Sequence, residues 1–279
     1  MKSTRLFIVM AALMVFALVT AGNAGAITNG QPDGDDHPYV GLLVFDAAPG
    51  EPGWRCSGAL IAPNLVLTAG HCTDGAVAAR IWFDEDVTYN NVPYPLYPYG
   101  GEGSGAVEGT AYTHPDYRSP DNPYGGGNGL PAYNYRDVGV VVLDEPVAMD
   151  EYAQLPTPGL VDTLMNKTPV DLVGYGVQEQ IMGGGPPVWT GVRVRLYAPS
   201  QSISGKFVHS PEYLRLTMNI GGGKGGSCFG DSGGPDLLGG TSTVLAVNSY
   251  VTNSNCGGIG YSGRVDVPEV LSWIEGFMD

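Results

Sequence analysis

Gly230-Asp231-Ser232-Gly233-Gly234-Pro235 stands far downstream of Leu67-Thr68-Ala69-Gly70-His71-Cys72, and these two stretches decide how the chain is read. A serine hydroxyl is a poor nucleophile at neutral pH; it needs a base within hydrogen-bond reach and a third group to orient that base. Ser232 and His71 are the candidates for the first two parts. Glycine beside Ser232 has a chemical use, because backbone N–H groups there must approach a substrate carbonyl without a side chain in the way. His71 follows an apolar run and a small-residue turn, where a base can be held rigidly.

The order of triad members along the chain separates the unrelated folds that build one. Residues 230–234 also satisfy the G-x-S-x-G elbow of α/β-hydrolases, in which the histidine follows the serine. The four histidines are His37, His71, His114 and His209, so an esterase of that kind would lack its base. An order with aspartate first, as in subtilisin, fits less well than histidine, aspartate, serine.

Working outward, Leu6–Val19 is an unbroken apolar run behind Lys2 and Arg5, followed by small residues ending in Ala24-Gly25-Ala26. A membrane-spanning helix needs about 20 apolar residues. The shorter run and its A-x-A end read as a signal peptide over residues 1–26, leaving residues 27–279 as a soluble, exported product with no membrane association. That length suffices for one large β domain or two small barrels. The formal charge is −15, and −17 without Lys2 and Arg5 (11 basic against 28 acidic residues), which argues against a nucleic-acid partner.

Short apolar runs at Val40–Phe45, Ala59–Ile61, Leu65–Thr68, Val138–Leu143, Val170–Val173 and Val244–Val247 are separated by turn-forming residues, an all-β pattern. The 43 glycines and 22 prolines supply turns without a fibrous repeat. Only the end reads as helix: Pro268 sits near a first turn, and Val270, Leu271, Ile274 and Phe277 recur at helical spacing, a stripe expected to pack against a barrel. Residues 90–109 and 119–135 read as loops, the second carrying Tyr124, Tyr133 and Tyr135 at a possible binding edge. Four cysteines in an exported chain favour two disulfides, with three pairings open, over a zinc site, whose C-x-x-C pairs are absent.

The motifs at His71 and Ser232, in this order, resemble the chymotrypsin/trypsin-like serine protease family over nearly all of residues 27–279. The resemblance implies two packed six-stranded antiparallel Greek-key barrels with a C-terminal helix, and a secreted endopeptidase that works through an acyl-enzyme on protein or peptide substrates as a monomer without cofactor or metal. It selects Asp137 as the third triad member, since Asp137-Val138-Gly139-Val140-Val141-Val142-Leu143 resembles the family's Asp-Ile-Ala-Leu strand. Asp116 and Asp121 lie in turn-like sequence and Asp144 at a strand end. It assigns the oxyanion donors to Gly230 and Ser232, and the disulfides to Cys56–Cys72 and Cys228–Cys256. Ile27-Thr28-Asn29-Gly30 resembles the Ile-Val-Asn-Gly start of mature trypsin-like enzymes, so a cut after Ala26 would free an α-amine to pair with Asp231. His114 is expected to be structural, His37 and His209 to lie on the surface.

The family's spacing puts the floor of the specificity pocket at Gly226, beside Ser227, with Ser249 and Val251 on one wall and Gly260 on the other. No trypsin-like carboxylate stands there, and Val251 replaces the usual glycine, which implies a preference for small or medium apolar residues. Two rivals stand beside this reading: a non-catalytic binding module on the same fold, and an esterase.

Overall fold

The computed structural model describes residues 27–88, 96–119, 134–176, 179–181, 188–190, 192–203, 211–219, 222–251 and 256–278. The expected leader, Tyr124, Tyr133 and His209 lie outside the described residues.

After a two-residue strand β1 (Gln31–Pro32), the amino-terminal half forms β2 (Val40–Ala48), β3 (Glu51–Ala62), β4 (Leu65–Thr68), β5 (Ala78–Trp82), β6 (Val107–Thr113) and β7 (Gly139–Leu143), closed into a barrel in the order β2-β3-β4-β7-β6-β5. Closure removes both sheet edges, so no backbone row is left to pair with another chain. Hairpin neighbours dominate, as in Val40↔Ala59, while β4 pairs with the distant β7, as in Leu65↔Val142. Leu42, Phe45, Leu60, Leu67, Ile81, Val140 and their neighbours fill one large core. The first expected loop ends earlier than its composition suggests: Val107–Gly109 are already strand, paired with β5 and β7.

The second half adds β8 (Pro169–Gly174), the small hairpin β9 (Glu179–Ile181) with β10 (Val188–Thr190), then β11 (Leu196–Gln201), β12 (Tyr213–Met218), β13 (Pro235–Leu238), β14 (Val244–Val251) and β15 (Gly258–Arg264). Its main sheet runs β1-β11-β8-β13-β14-β15-β12. This is the expected set of six antiparallel strands with β1 added at one edge. The bridge Ser202↔Leu216 links the strand on that side to β12, so the second sheet curls into a barrel joined by one bridge rather than a full ladder. Along β11 the burial alternates residue by residue, as one core-facing face requires.

Two α-helices occur among the described residues, α1 (Gly70–Thr73) and α2 (Pro268–Glu275). Pro268 occupies the first turn of α2, where its missing N–H costs nothing. Val270, Leu271 and Ile274 enter the large core. Trp273 meets His114 edge-on at 5.0 Å, and Phe277 packs on Tyr112 of β6 at 5.1 Å. The helix that follows the second barrel therefore staples it to the first, and His114, 4% exposed, is part of that packing.

A buried guanidinium makes a second cross-connection. Arg195, 1% exposed, donates to Asp33 (2.8 Å) and to the carbonyls of Gly34 (2.8 Å), Phe83 (2.9 Å) and Val40 (3.2 Å). Asp33 also accepts from the His37 ring at 2.6 Å, which corrects the surface reading of His37: the ring is half-buried and stacked on Tyr197. Removing one partner of a buried pair leaves an uncompensated charge, which costs about 3–5 kcal/mol. Arg195→Ala should therefore lower the unfolding free energy by an amount in that range in a urea titration; a loss below about 1 kcal/mol would mean that the guanidinium is not structural.

Candidate active site

His71 is carried on α1, directly after β4 and the Ala69-Gly70 turn, and Asp137 stands just before β7, the strand paired with β4. Strand pairing thus brings together two residues far apart in sequence. The Asp137 carboxylate is buried and receives four donors. Its Oδ1 accepts the His71 backbone N–H at 2.7 Å, and its Oδ2 faces His71 Nδ1 at 2.8 Å. The same oxygen accepts from Asn134 Nδ2 at 3.2 Å and from the Ser249 hydroxyl in a short bond. A carboxylate on Nδ1 fixes that nitrogen as the proton carrier and leaves Nε2 with a lone pair. Burial favours the neutral imidazole, but the Asp137 charge and hydrogen bond outweigh it and raise the His71 pKa above its ordinary value. Burial likewise opposes ionised Asp137; His71 and Ser249 overcome it and hold the acid below the usual carboxylate range.

Ser232 comes from the other barrel, in the turn before β13. Within this turn the N–H groups of Asp231, Gly233 and Gly234 donate to the carbonyls of Cys228, Asn248 and Asp231. Among the described residues, the N–H groups of Gly230 and Ser232 have no protein acceptor. Two unspent donors therefore sit beside the Ser232 hydroxyl, the arrangement an oxyanion requires. Gly230 has φ +97°, a conformation that glycine adopts without steric cost.

Ser57 on β3 anchors this turn to the first barrel. Its N–H donates to the Ser232 carbonyl (2.8 Å), its hydroxyl donates to the Gly230 carbonyl (3.0 Å), and that hydroxyl accepts from the Tyr175 N–H (3.0 Å). Gly233, at φ +76°, has no room for a Cβ, which would lie 2.0 Å from Thr68 Oγ1 and 2.7 Å from the Ala69 nitrogen. The serine turn thus touches the turn that leads into His71. The Ser232 hydroxyl and His71 Nε2 are not hydrogen-bonded to each other; Nε2 has Cys72 Sγ at 3.7 Å. Such contacts commonly tighten only once substrate is bound.

Cys56 and Cys72 are bonded, as are Cys228 and Cys256, so the histidine turn and the serine loop are each covalently braced. Cys56, His71 and Cys72 are the one group with metal-ligand spacing among the described residues, and the disulfide leaves only His71 there as a ligand.

Asp231 is fully buried. Its two oxygens accept the Gly176 and Cys228 N–H groups, both at 2.8 Å, and no cation forms an ion pair with it among the described residues. Burial pushes its pKa up to about 7, against the pull of those N–H groups and of Arg55. Ile27 is buried in the core of the second barrel. Thr28 exchanges two backbone hydrogen bonds with Gly226, and extending this antiparallel register sets Ile27 opposite Ser227, one residue from the Cys228 that holds Asp231.

A cavity of about 170 Å³ opens beside Ser232, lined by Ser227, Cys228, Phe229, Ser249, Tyr250 and Val251 among others. Gly226 and Gly260 do not line it. The Met218 side chain fills the space in front of both: a Cβ on Gly226 would lie 2.7 Å from Met218 Cβ, and one on Gly260 would lie 2.9 Å from its sulfur. Sequence reading missed Met218, Phe229 and Asn134. Phe229 is adjacent to the serine motif, but Met218 ends a distant strand and Asn134 sits in loop sequence, so neither carries a local signal.

Asp236, also fully buried, is pushed up to about 8 by burial and by the charge of Asp231, with Ser262 acting the other way. For both acids the folded pKa lies above the unfolded value near 3.8, so stability is full below that value and is lost as pH rises toward 7–8. The melting temperature of the uncleaved chain should fall between pH 4 and 8, and Asp236→Asn should make that fall shallower. An unchanged slope in the variant would show that Asp236 ionises normally.

The Trypsin family model matches residues 27–274. A chymotrypsin-like elastase family member 1 from Canis lupus familiaris is 27% identical over 208 residues, 72% of each chain. A trypsin from Sarcophaga bullata is 27% identical over 277 residues, 94% of this chain and 96% of that one. Among solved structures, one described as HL collagenase superposes with a TM-score of 0.63 at 20% identity, covering 87% of this chain and 94% of the other. Human heparin binding protein superposes with a TM-score of 0.60 at 17% identity, covering 88% and 94%. At those identities the two structures speak for the fold, while the family model extends over nearly the whole described chain; the chain belongs to the trypsin family of serine proteases.

Proposed function

We propose that this chain is an exported endopeptidase in which Ser232 is the nucleophile, His71 the base and then the acid, and Asp137 the group that orients His71. The observation that carries this reading is the Asp137–His71 pair at 2.8 Å, with the Ser232 turn and its two unspent N–H groups packed against the histidine turn. As Ser232 Oγ forms its bond to the peptide carbonyl carbon, its proton passes to His71 Nε2, and the carbonyl π electrons become an oxyanion held by the Gly230 and Ser232 N–H groups. The oxyanion collapses, the C–N bond breaks, and His71 gives its proton to the leaving amine. Water then attacks the acyl-enzyme, again giving a proton to His71, and the carboxylic acid leaves as Ser232 is restored. Asp137 stabilises the imidazolium without taking the proton.

Signal peptidase cleavage after Ala26 would place a positive α-amine at Ile27. Asp231, raised to about 7 and lacking an ion-pair partner, is the buried acid that such an amine would satisfy. An opposite charge favours the ionised carboxylate, so the pairing would lower the Asp231 pKa and fix the loop that presents Gly230. On this reading no separate activation step follows export.

Treating secreted protein with a serine-reactive phosphonate and reading it by mass spectrometry should give one adduct, on Ser232, in chains beginning at Ile27. Ser232→Ala should carry none. Absence of the adduct from wild-type protein beginning at Ile27 would favour the non-catalytic binding module.

Specificity follows from the walls of the cavity. Met218 fills the space at Gly226 and Gly260, Val251 lines one wall, and no carboxylate lines the cavity among the described residues. Small or medium apolar side chains fit this environment, whereas a lysine or arginine would be buried there without a partner. Peptides with Ala or Val before the cleaved bond should be cut at least about tenfold faster, in kcat/KM, than the Arg analogue, a modest difference for a buried, unpaired charge. A preference for Arg would overturn this assignment.

A further inference from the structure

A second pocket, of about 410 Å³, lies outside the cleft and shares none of its lining residues. We propose that this pocket, formed by Asp36, His37, Tyr39, Glu151, Asp171 and Tyr197, is a recognition site for a lysine or arginine side chain of a polypeptide partner.

The charge in the pocket is one-sided. Asp36 and Glu151 are exposed and form no ion pair among the described residues, and Asp171 is held in place by the Tyr197 hydroxyl (3.2 Å) and the Gly240 N–H (2.7 Å) without a cation. The single basic group on the lining, His37, has its Nδ1 engaged by Asp33, and Asp33 is in turn tied to Arg195 behind the pocket. Three carboxylates thus line one pocket with no paired cation among the described residues.

Tyr39 is the second, independent indication. It is 1% exposed, yet its hydroxyl lines the pocket and has no hydrogen-bond partner among the described residues. Burial raises its pKa first, then the charges of Glu151, Asp33 and Asp171, so the phenol stays protonated and lies within the field of those acids. The oxygen of this otherwise buried side chain is free to accept from an N–H donor that enters the pocket.

The walls suit an alkyl stem capped by a cation. The His37 ring stacks on Tyr197 at 5.8 Å and meets Tyr39 edge-on at 5.9 Å. Aromatic faces attract ammonium and guanidinium groups and cover the methylenes behind them. A metal ion fits less well: calcium takes about 6–8 oxygens at close range, and no three acidic side chains among the described residues bring oxygens within 4.8 Å of one another. The pocket is open to solvent beside the Gly240-Thr241-Ser242 turn, so a peptide backbone can remain outside while one side chain enters. Binding here does not require proteolytic activity.

The test uses 15N-labelled full-length protein carrying Ser232→Ala, so that the outcome is independent of turnover. The probes are acetyl-Ala-Lys-Ala-amide, its norleucine analogue, cadaverine and calcium chloride. The lysine peptide should shift the amide signals of Tyr39 and of Gly240–Ser242 in a saturable way, and Tyr39→Phe with Glu151→Gln should weaken it at least tenfold. Should the double variant fold poorly, exposed Glu151→Gln alone should weaken it at least threefold. The norleucine peptide should leave these signals in place. Shifts centred on the catalytic cleft, equal response to norleucine, or saturation by calcium at the same amides would overturn the proposal. Cadaverine binding as tightly as the peptide would overturn the polypeptide as the source of the cation.

Discussion

The close approach of two turns across the seam between the barrels is the constraint on which the rest of the site depends. The serine turn belongs to the second barrel and the histidine turn to the first, so neither alone holds the chemistry. Ser57 ties them with its N–H on the Ser232 carbonyl and its hydroxyl on the Gly230 carbonyl. Gly233 lets the backbones meet at a distance that no side chain would permit. Away from the site, the buried Arg195 and helix α2 hold the same seam, so the geometry near Ser232 is supported by packing far from it.

Two buried aspartates show how environment assigns different roles to one residue type. Asp137 receives four donors and faces a histidine, and these overcome desolvation and keep it ionised. Asp231 receives two backbone donors and no ion-pair partner, and desolvation prevails. The first is equipped to stabilise an imidazolium. The second is an acid that burial pushes toward its neutral form, near the segment around Ile27 that the Thr28–Gly226 bridge positions.

The cleft and the second pocket differ in the same physical terms. Beside Ser232 the walls are a disulfide, two aromatic residues, valine and small polar groups, with Met218 behind them, and no charged side chain among the described residues lines them. The pocket at Tyr39 and Tyr197 offers carboxylates and aromatic faces instead.

The sequence by itself determined the fold class and marked the triad candidates, because the signals are local: alternating turns and apolar runs for strands, glycines around Ser232, and, through the family resemblance, an acid heading an apolar strand at Asp137. Pro268 and the apolar stripe after it likewise marked α2 correctly. What only the tertiary structure decided was which distant side chains fill the space beside these motifs. The space at Gly226 and Gly260 is filled by Met218, which β12 carries there; the fourth donor on Asp137 depends on Asn134; and His37 is half-buried because Asp33 and Tyr197 lie against it. These are contacts between segments far apart in the chain or in irregular loops, where no periodic pattern records which side chain meets which. Motifs record the chemistry that a backbone conformation must serve locally, whereas volume and charge are set by whatever the two packed sheets bring together.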